Sequence, residues 1–246
     1  MIEIVNLSKS FNGHKVLEGA NLAVRGGETM VIIGRTGGGK TVLLRHIIGL
    51  VRPDEGQVIV DGQEISRLTG KDLAQIRLKF GMLFQGAALF DSLSVGENVA
   101  FPLREHTKMT EEEIQQRVQE CLELVGLKGI EHLNPAELSG GMRKRVGLAR
   151  AIAMRPSMIL YDEPTTGIDP IMADAINRLI KGLHDKLKVT GVAVTHDMVS
   201  AYKIADRIAM LHEGKIIQVG SPSEIQNTSN PVVRQFILGM SEKGAS

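Results

Sequence analysis

The stretch Gly34-Arg35-Thr36-Gly37-Gly38-Gly39-Lys40-Thr41 decides the fold of this chain. The apolar run 30–33 precedes it, and a segment with leucines and isoleucines at helical spacing follows it. In such a unit the glycines let backbone N–H groups converge on phosphate oxygens, and the helix N-terminus adds partial positive charge. We therefore predict that residues Gly34 to Val42 bind a nucleotide, with Lys40 at the β- and γ-phosphates and Thr41 at magnesium. A glycine-rich turn without a ligand is the alternative, which the flanking strand and helix disfavour.

Two carboxylates, Asp162 and Glu163, end a second apolar strand at 158–161. Neighbouring residues of a strand point to opposite faces, so the two carboxylates need not share a task. Asp162 suits the coordination shell of magnesium, and Glu163 suits polarising a water molecule for attack on the γ-phosphate. The alternative is an ordinary helix cap or a solvated strand end. That alternative would be favoured for the carboxylates alone, but it is disfavoured because the chain also has a phosphate loop.

Polar side chains follow two further apolar strands, with Gln85 after 82–84 and His196 after 192–195. These positions are strand ends, on the side of the sheet where α/β proteins bind ligands. We predict that His196 contacts the γ-phosphate or the attacking water. Gln85 is predicted to complete the catalytic site and to join Thr41 and Asp162 as a magnesium ligand. A lone histidine is more often structural, and the other six histidines are interpreted in that way.

A second glycine-rich helix start, Leu138-Ser139-Gly140-Gly141-Met142, lies between the phosphate loop and the carboxylates. Exposed N–H groups, a serine hydroxyl and the helix dipole together form an anion site. The helix that follows is rich in basic residues, namely Arg143, Lys144, Arg145 and Arg150. The alternative is a plain helix start with Ser139 as its N-cap. A single nucleotide can use both cradles only where they meet across an interface, which predicts a second copy of the chain.

The composition excludes several classes of protein. The chain has 246 residues, of which 43% are hydrophobic, so it can bury a sizeable core and is not expected to be disordered. Its net charge of +1 argues against a dedicated nucleic-acid-binding protein, which usually has a clear basic excess. Cys121 is the single cysteine, so no internal disulfide can form. The sequence has no signal-peptide pattern and no apolar run near 18 residues, and we expect no membrane span.

The order of patterns along the chain predicts a doubly wound α/β core. Three buried-strand runs, 30–33, 158–161 and 192–194, alternate with helical segments. Short strands are expected near the N-terminus, and Asp61-Gly62 is a strong hairpin signal. The pattern of residues 90–156 instead predicts helices, including one that begins with a capping box at 110–113. On this helix Cys121 belongs to the apolar stripe and is interpreted as a buried core thiol, and the tail 242–246 is expected to fray.

The motifs of this chain, in their order along the sequence, resemble those of the ATP-binding-cassette (ABC) ATPases of membrane transporters. They are Phe11, the phosphate loop, Gln85, 138–142, Asp162-Glu163, 167–169 and His196. The resemblance implies an α/β fold of the ABC-type P-loop NTPases, with a RecA-like core, an N-terminal antiparallel β subdomain and an inserted helical subdomain. It implies one ABC ATPase domain over 1–246. Within it, 1–85 and 157–222 form the core with the β subdomain, 86–156 the helical subdomain and 223–246 a C-terminal tail.

The same resemblance assigns roles to further residues. Two cassettes dimerise head to tail in this family, with ATP between the phosphate loop of one and the glycine-rich helix start of the other. Phe11 is thereby assigned to adenine stacking. Ser139 and Gly141 are assigned to the γ-phosphate of the opposite site, with Gly140 in the same binding set. Asp169, in the 167–169 motif, is assigned to the nucleotide site and to communication across the dimer, although a plain N-cap before Pro170 is the alternative.

A narrower resemblance rests on the run 83–95, the run 98–106 and Met142. These segments look like the cassette of the bacterial Mla (maintenance of lipid asymmetry) phospholipid transporter and its relatives that serve mammalian-cell-entry (MCE) domain systems. The resemblance implies an inner-membrane permease partner, whose cytoplasmic helix is received by 85–102, an MCE-domain lipid-binding protein, and a peripheral location on the cytoplasmic face of the inner membrane.

Three residues depart from the common ABC pattern. Met142 replaces a glutamine and cannot make the same polar contact to the nucleotide. Val42 replaces a second hydroxyl residue, so one phosphate contact is lost, and Phe11 replaces a tyrosine while keeping the stacking surface. None of these changes removes a predicted catalytic residue, so we expect hydrolysis of ATP to survive.

The alternatives are an importer cassette for a polar solute such as an amino acid, an ABC protein of DNA repair or translation, and a phosphate-loop kinase. The importer shares every catalytic motif, whereas a kinase would not need 138–142. Only 99 positions separate Lys40 from Ser139, with no sustained heptads, which disfavours the long coiled coil of the repair type. Translation proteins of this family carry two cassettes in one chain, and this sequence has one.

Overall fold

The computed structural model describes residues 1–240, so the predicted fraying of 242–246 lies outside the described residues. Its strands are β1 (Ile2–Phe11), β2 (His14–Val24), β3 (Thr29–Ile33), β4 (Glu55–Val60), β5 (Gln63–Glu64), β6 (Phe80–Leu83), β7 (Met158–Asp162), β8 (Thr190–Thr195), β9 (Arg207–His212) and β10 (Lys215–Gly220). Its helices are α1 (Lys40–Ile47), α2 (Gly70–Arg77), α3 (Val95–His106), α4 (Glu111–Leu124), α5 (Gly140–Ile152), α6 (Pro170–Leu187), α7 (Met198–Ile204), α8 (Pro222–Gln226) and α9 (Pro231–Ile237).

The chain forms two compact units, Met1–Leu73 with the residues from Val192 onward, and Ala74–Gly191. These bounds differ from the predicted division at 85 and 156, because residues 157–191, with β7 and α6, group with the helical segment. The predicted subdomain limits therefore stay a prediction. Among the described residues, no helix is both long enough and apolar enough to cross a membrane.

An antiparallel sheet of order β2-β1-β4-β5 belongs to the first unit, which confirms the predicted β subdomain. β1 and β2 are longer than the short strands expected near the N-terminus, because the turn Asn12-Gly13 joins them directly into one hairpin. Both turn residues have positive φ, 50° and 79°, as the tightest hairpin turns require. The predicted hairpin at Asp61-Gly62 is confirmed in the same way, with φ of 49° and 80°.

The first unit also holds the strands that carry the phosphate loop. They lie in the order β10-β9-β3-β8, with β3 parallel to β9 and β9 antiparallel to β10. All five residues of β3 are buried, as the apolar run 30–33 predicted. Helix α1 buries Leu43, Leu44 and Ile47. The buried strand followed by an amphipathic helix fixes both ends of the loop between them.

In the second unit, β6 and β7 pair in parallel, and helices α3, α4 and α5 pack against one another. The helical interpretation of this segment is confirmed, as is the capping box, in which the Thr110 side chain accepts from the N–H of Glu113. Cys121 is fully buried on α4, as predicted. The buried Arg117 of the same helix donates to the carbonyls of Ile152 and Ala153, at 2.8 and 3.0 Å. This cation thereby satisfies the C-terminal carbonyls of α5 and ties the two helices together.

Candidate nucleotide-binding and hydrolysis site

The predicted site residues are divided between the two units. Phe11, the phosphate loop and His196 belong to the first unit. The second unit holds Gln85, the helix start at 139–141, the two carboxylates and Asp169. Each unit therefore carries its own part of the predicted site, built by its own strands and helices.

The phosphate loop turns from β3 into α1 through backbone that only glycine adopts easily. Gly39 has φ of 95° and precedes the first helical residue. A Cβ at this position would lie 3.0 Å from the carbonyl oxygen of Val16 and 3.1 Å from its Cγ1. Within the part of the chain that the structure describes, no side chain caps the N-terminus of α1 and no acidic residue lies in its first turn. The helix start is thus shaped and charged for an external anion.

Lys40 lies at this helix start and folds back over the loop. Its side chain is buried and donates to the carbonyls of Gly34 and Arg35 at 2.9 and 3.0 Å. The loop also closes on itself through the N–H of Gly38, which donates to the Arg35 carbonyl at 3.0 Å. The ammonium group is therefore held inside the concave side of the loop, where a phosphate chain would replace the carbonyls as its partner.

A cavity of about 340 Å³ opens beside the phosphate loop, within the first unit. Its wall includes Arg35 and Thr36 of the loop, the exposed His196 at the end of β8, His212 and residues of α9. The structure thus places His196 next to the loop, as its predicted contact with the γ-phosphate requires. Asp197, which follows it, caps α7 through the N–H groups of Val199 and Ser200.

The Phe11 ring ends β1 and is 43% exposed, which leaves it available for stacking. The Nζ of Lys9 lies 5.5 Å from the ring centroid, a distance at which a cation interacts with an aromatic face. Lys9 is held there by Asp54, at 2.6 Å. The geometry leaves ring surface for a base, and adenine stacking by Phe11 stays a prediction.

In the second unit the carboxylates end β7 as predicted, and both Asp162 and Glu163 are buried. Glu163 has φ of 47°, a left-handed conformation that costs a non-glycine residue roughly 1–3 kcal/mol. Its side chain accepts a hydrogen bond of 3.0 Å from the hydroxyl of Thr166. Strained backbone at a buried carboxylate is a feature that clusters at functional sites.

Three arginines of α5 donate hydrogen bonds to main-chain carbonyls of neighbouring segments. Arg143 donates to the Leu138 carbonyl, Arg145 to that of Val125, and Arg150 to those of Ala87 and Ala88. These contacts bind backbone oxygens within the same unit. These arginines therefore hold neighbouring segments of the unit against α5.

Lys144 contacts two of the predicted site residues, and sequence reasoning gave no sign of this contact. Its ammonium group is buried and donates to the carbonyl of Gln85 and, at 3.3 Å, to that of Glu163. Burial lowers the pKa of this ammonium, and the nearby carboxylates of Asp162 and Glu163 act against that lowering. The sequence offered only a run of three basic residues, which gives no reason to single out the middle one.

The glycine-rich helix start keeps both of its predicted interpretations open. Ser139 is the N-cap of α5, and its hydroxyl accepts from the N–H of Met142 at 3.3 Å. A Cβ added to Gly140 would lie 3.5 Å from Ile168 Cγ2, and the side chain of Met172 packs against Gly141. The structure therefore brings the start of α5 next to the segment that contains Asp169.

Asp169 is the N-cap of α6, as one of the two interpretations predicted. Its Oδ1 accepts from the N–H groups of Ile171 and Met172, both at 3.0 Å. The side chain of Gln85 is exposed, whereas its carbonyl is held by Lys144. Within residues 1–240 no group of three or more histidine, cysteine or acidic side chains forms a ready metal site. The predicted magnesium set of Thr41, Gln85 and Asp162 is mostly not acidic, as suits an ion that also binds phosphate.

Sequence and structure comparisons place the chain in one family. The profile of the ABC transporter family matches residues 17–166, and the chain belongs to this family. The intermembrane phospholipid transport system ATP-binding protein MlaF of Haemophilus influenzae is 42% identical, over 98% of this chain and 92% of the relative. A probable ribonucleotide transport ATP-binding protein of Mycobacterium leprae is also 42% identical, over 98% of this chain and 72% of the relative. The methionine import ATP-binding protein MetN of Carboxydothermus hydrogenoformans is 43% identical, over 96% of this chain and 71% of the relative.

Among solved structures, a dimeric ATP-binding cassette in a post-hydrolysis state with ADP and Pi superposes with a TM-score of 0.83. It is 33% identical and covers 90% of this chain and 99% of its own. The predicted fold class is thereby confirmed, as is the similarity to phospholipid-transport cassettes. The chain is an ATP-binding ATPase subunit of an ABC transporter.

Proposed function

We propose that this ATPase hydrolyses ATP with the residues at the phosphate loop and the acidic strand end. The buried Lys40, held inside the loop by the Gly34 and Arg35 carbonyls, would exchange these partners for β- and γ-phosphate oxygens. The left-handed φ of Gly39 and its close approach to the Val16 carbonyl favour glycine at the turn from the loop into α1. Phe11 would stack on adenine.

The chemical step is assigned to the second group of residues. Glu163 would orient the attacking water, and the burial and strained backbone of this residue support that role. His196, beside the phosphate loop, would contact the γ-phosphate or the water, and Gln85 would complete the site. The donor types of Thr41, Gln85 and Asp162 fit magnesium, which would neutralise charge on the phosphates.

The assembly proposed for this activity is a homodimer of the chain bound to an inner-membrane permease, on the cytoplasmic face of that membrane. Ser139, Gly140 and Gly141 would then contact the γ-phosphate held by the opposite copy, with Asp169 near the same boundary. No side chain caps the start of α1, and Ser139 is exposed at the start of α5. The two helix starts would serve one nucleotide together in a dimer like that of the similar cassette.

Replacing Glu163 by glutamine tests the catalytic assignment. We expect Glu163→Gln to lower ATP turnover by about 10²- to 10⁴-fold, the usual contribution of a general base, while ATP binding persists. Steady-state phosphate release and equilibrium binding of ATP would be measured on the same preparation. The matched control is Glu112→Gln, an exposed position in the first turn of α4, which should leave turnover unchanged. Hydrolysis by Glu163→Gln at the parent rate would show that another group activates the water.

We propose further that the transported substrate is a phospholipid, moved with an MCE-domain lipid-binding protein. The observation that carries this proposal is the 42% identity to MlaF over nearly the whole of both chains, together with Met142 and the runs within 83–106. The amino-acid importer remains the second candidate, because a methionine import protein is 43% identical to this chain.

Purification of the chain with its native partners distinguishes the two candidates. The phospholipid proposal predicts an MCE-domain protein and bound phospholipid in the complex, and ATP-dependent transfer of labelled phospholipid between vesicles. The complex carrying Glu163→Gln serves as the inactive control. Stimulation of ATP turnover by methionine with a solute-binding protein, in a complex that lacks lipid, would favour the importer instead.

A further inference from the structure

Lys144 occupies a position on α5 that connects three segments of the predicted site. It lies in the second turn of the helix that begins at Ser139, and only 5% of the residue is exposed. A buried ammonium group is costly unless its donors find partners. Its partners here are main-chain carbonyls on two other segments, that of Gln85 after β6 and that of Glu163 after β7.

Close packing between α5 and the end of β6 brings this side chain within reach. Gly147 lies three residues further along the helix, and a Cβ there would lie 2.8 Å from Leu83 Cδ1 and 3.3 Å from the Cβ of Ala87. A Cβ at this position would require the Leu83 side chain to shift, so the helix backbone lies close to the strand end. Lys144 lies on the same side of the helix, and its side chain is long enough to reach the carbonyls of both Gln85 and Glu163.

The two segments that Lys144 joins are both in uncommon backbone conformations. Glu163 has φ of 47°, and the consecutive Ala87 and Ala88 after Gln85 have φ of 61° and 46°. Such residues persist where surrounding contacts over-determine them. Arg150, two turns beyond Lys144, supplies contacts of this kind by donating to the Ala87 and Ala88 carbonyls at 2.6 and 2.7 Å.

We propose that Lys144 is a positioning residue for hydrolysis, which holds the main chain of Glu163 and Gln85 in register with the helix that begins at Ser139. This inference rests on the proposed catalytic roles of Glu163 and Gln85. Both of its donated hydrogen bonds end on main-chain oxygens, so Lys144 acts on the position of the backbone at these two residues. A movement of the α5 start would be passed through this ammonium group to the main chain of Glu163.

The test compares two substitutions of the same kind on the same helix. Lys144→Met removes the donor and keeps much of the side-chain volume. Arg145→Met is the matched control, because Arg145 also donates from α5 to a carbonyl, that of Val125 at 3.2 Å, away from the predicted catalytic residues. ATP turnover by the full chain, in complex with the proteins that co-purify with it, would be measured over a range of ATP concentrations, and each melting temperature would be recorded.

A displaced catalytic group costs turnover far more than binding, so Lys144→Met should lower kcat by about 10- to 100-fold and change KM for ATP by less than about twofold. Arg145→Met should keep the parent kcat even where its melting temperature falls. Lys144→Arg, which retains a charged donor, should recover part of the lost kcat. Should Lys144→Met fail to fold, Lys144→Gln replaces it under the same criteria.

Three results would overturn the proposal. They are a parent kcat in Lys144→Met, equal losses of kcat in Lys144→Met and Arg145→Met, or no recovery in Lys144→Arg. Glu163→Gln, measured in parallel, keeps the two levels of inference apart. Loss of turnover in Glu163→Gln with a parent rate in Lys144→Met removes only the positioning role, whereas a parent rate in Glu163→Gln removes the catalytic assignment itself.

Discussion

Asp169 has a structural role and a predicted functional role, and substitution separates them. In the structure its Oδ1 accepts from two N–H groups at the start of α6, each at 3.0 Å. Asp169→Ala removes the acceptor from an 18-residue helix. Loss of an N-cap costs about 1 kcal/mol, and in a chain of this size each kcal/mol lowers the melting temperature by about 2–4 °C. We expect Asp169→Ala to melt lower by that amount.

Asp169→Asn is the informative partner of this variant. Asparagine caps helices as well as aspartate, so only the favourable interaction of the charge with the helix dipole is lost, roughly 0.3–1 kcal/mol. Its melting temperature should therefore stay above that of Asp169→Ala. If the carboxylate also acts at the boundary between two copies, ATP turnover by Asp169→Asn should fall about tenfold or more, the value of one hydrogen bond to a charged group.

Thermal unfolding and ATP turnover, measured against protein concentration, give both quantities. Equal melting temperatures for the alanine variant and the parent would contradict the capping geometry. Turnover at the parent rate in Asp169→Asn, at every protein concentration, would show that Asp169 acts only as a helix cap. It would refute a role at the boundary between two copies.

Two further predictions concern the core and the nucleotide. Burial raises the pKa of the Cys121 thiol from 9.0 to about 11, so at pH 8 its thiolate fraction is about 100-fold smaller than in the unfolded chain. Alkylation by iodoacetamide should be correspondingly slow until urea unfolds the chain, and equal rates in both states would show that α4 is open. Phe11→Ala should weaken ATP binding by about 1–3 kcal/mol, the value of stacking on one base. The loss of stability should be small, because the residue is 43% exposed. Unchanged affinity by calorimetry, with Phe11→Tyr as the control, would exclude stacking.

The local signals of the phosphate loop and the hairpins were sufficient to predict those parts of the fold. Gly39 marks a place where backbone from another strand comes close, and Asp61-Gly62 carries the positive φ values of a tight turn. These requirements act within a few residues, so the sequence alone predicts them. The length of β1 could not be predicted, because three consecutive polar residues in its second half, Ser8, Lys9 and Ser10, interrupt the apolar alternation of a strand.

The role of Lys144 could not be predicted for a different reason. Its partners are carbonyl oxygens, which every residue possesses, and they lie 59 and 19 positions away in the sequence. Neither periodicity nor motif spacing encodes such a contact. The same holds for Arg150, whose partners lie 62 and 63 positions away. Side chains that bind distant main chain are found only once packing is known.

The structural and functional interpretations of the α5 start are compatible for a chemical reason. A serine hydroxyl has one hydrogen to donate and two lone pairs to accept with. Ser139 uses a lone pair to cap α5 through the N–H of Met142, and this leaves its hydrogen for a phosphate oxygen. Asp169 likewise caps α6 with Oδ1 alone, so the cap does not by itself occupy its second oxygen. A residue that caps a helix in its own chain is also held in a fixed orientation, and a fixed donor loses less entropy when it binds a nucleotide across an interface. The two caps would thus preorganise Ser139 and Asp169 for the proposed ATP site shared by two copies.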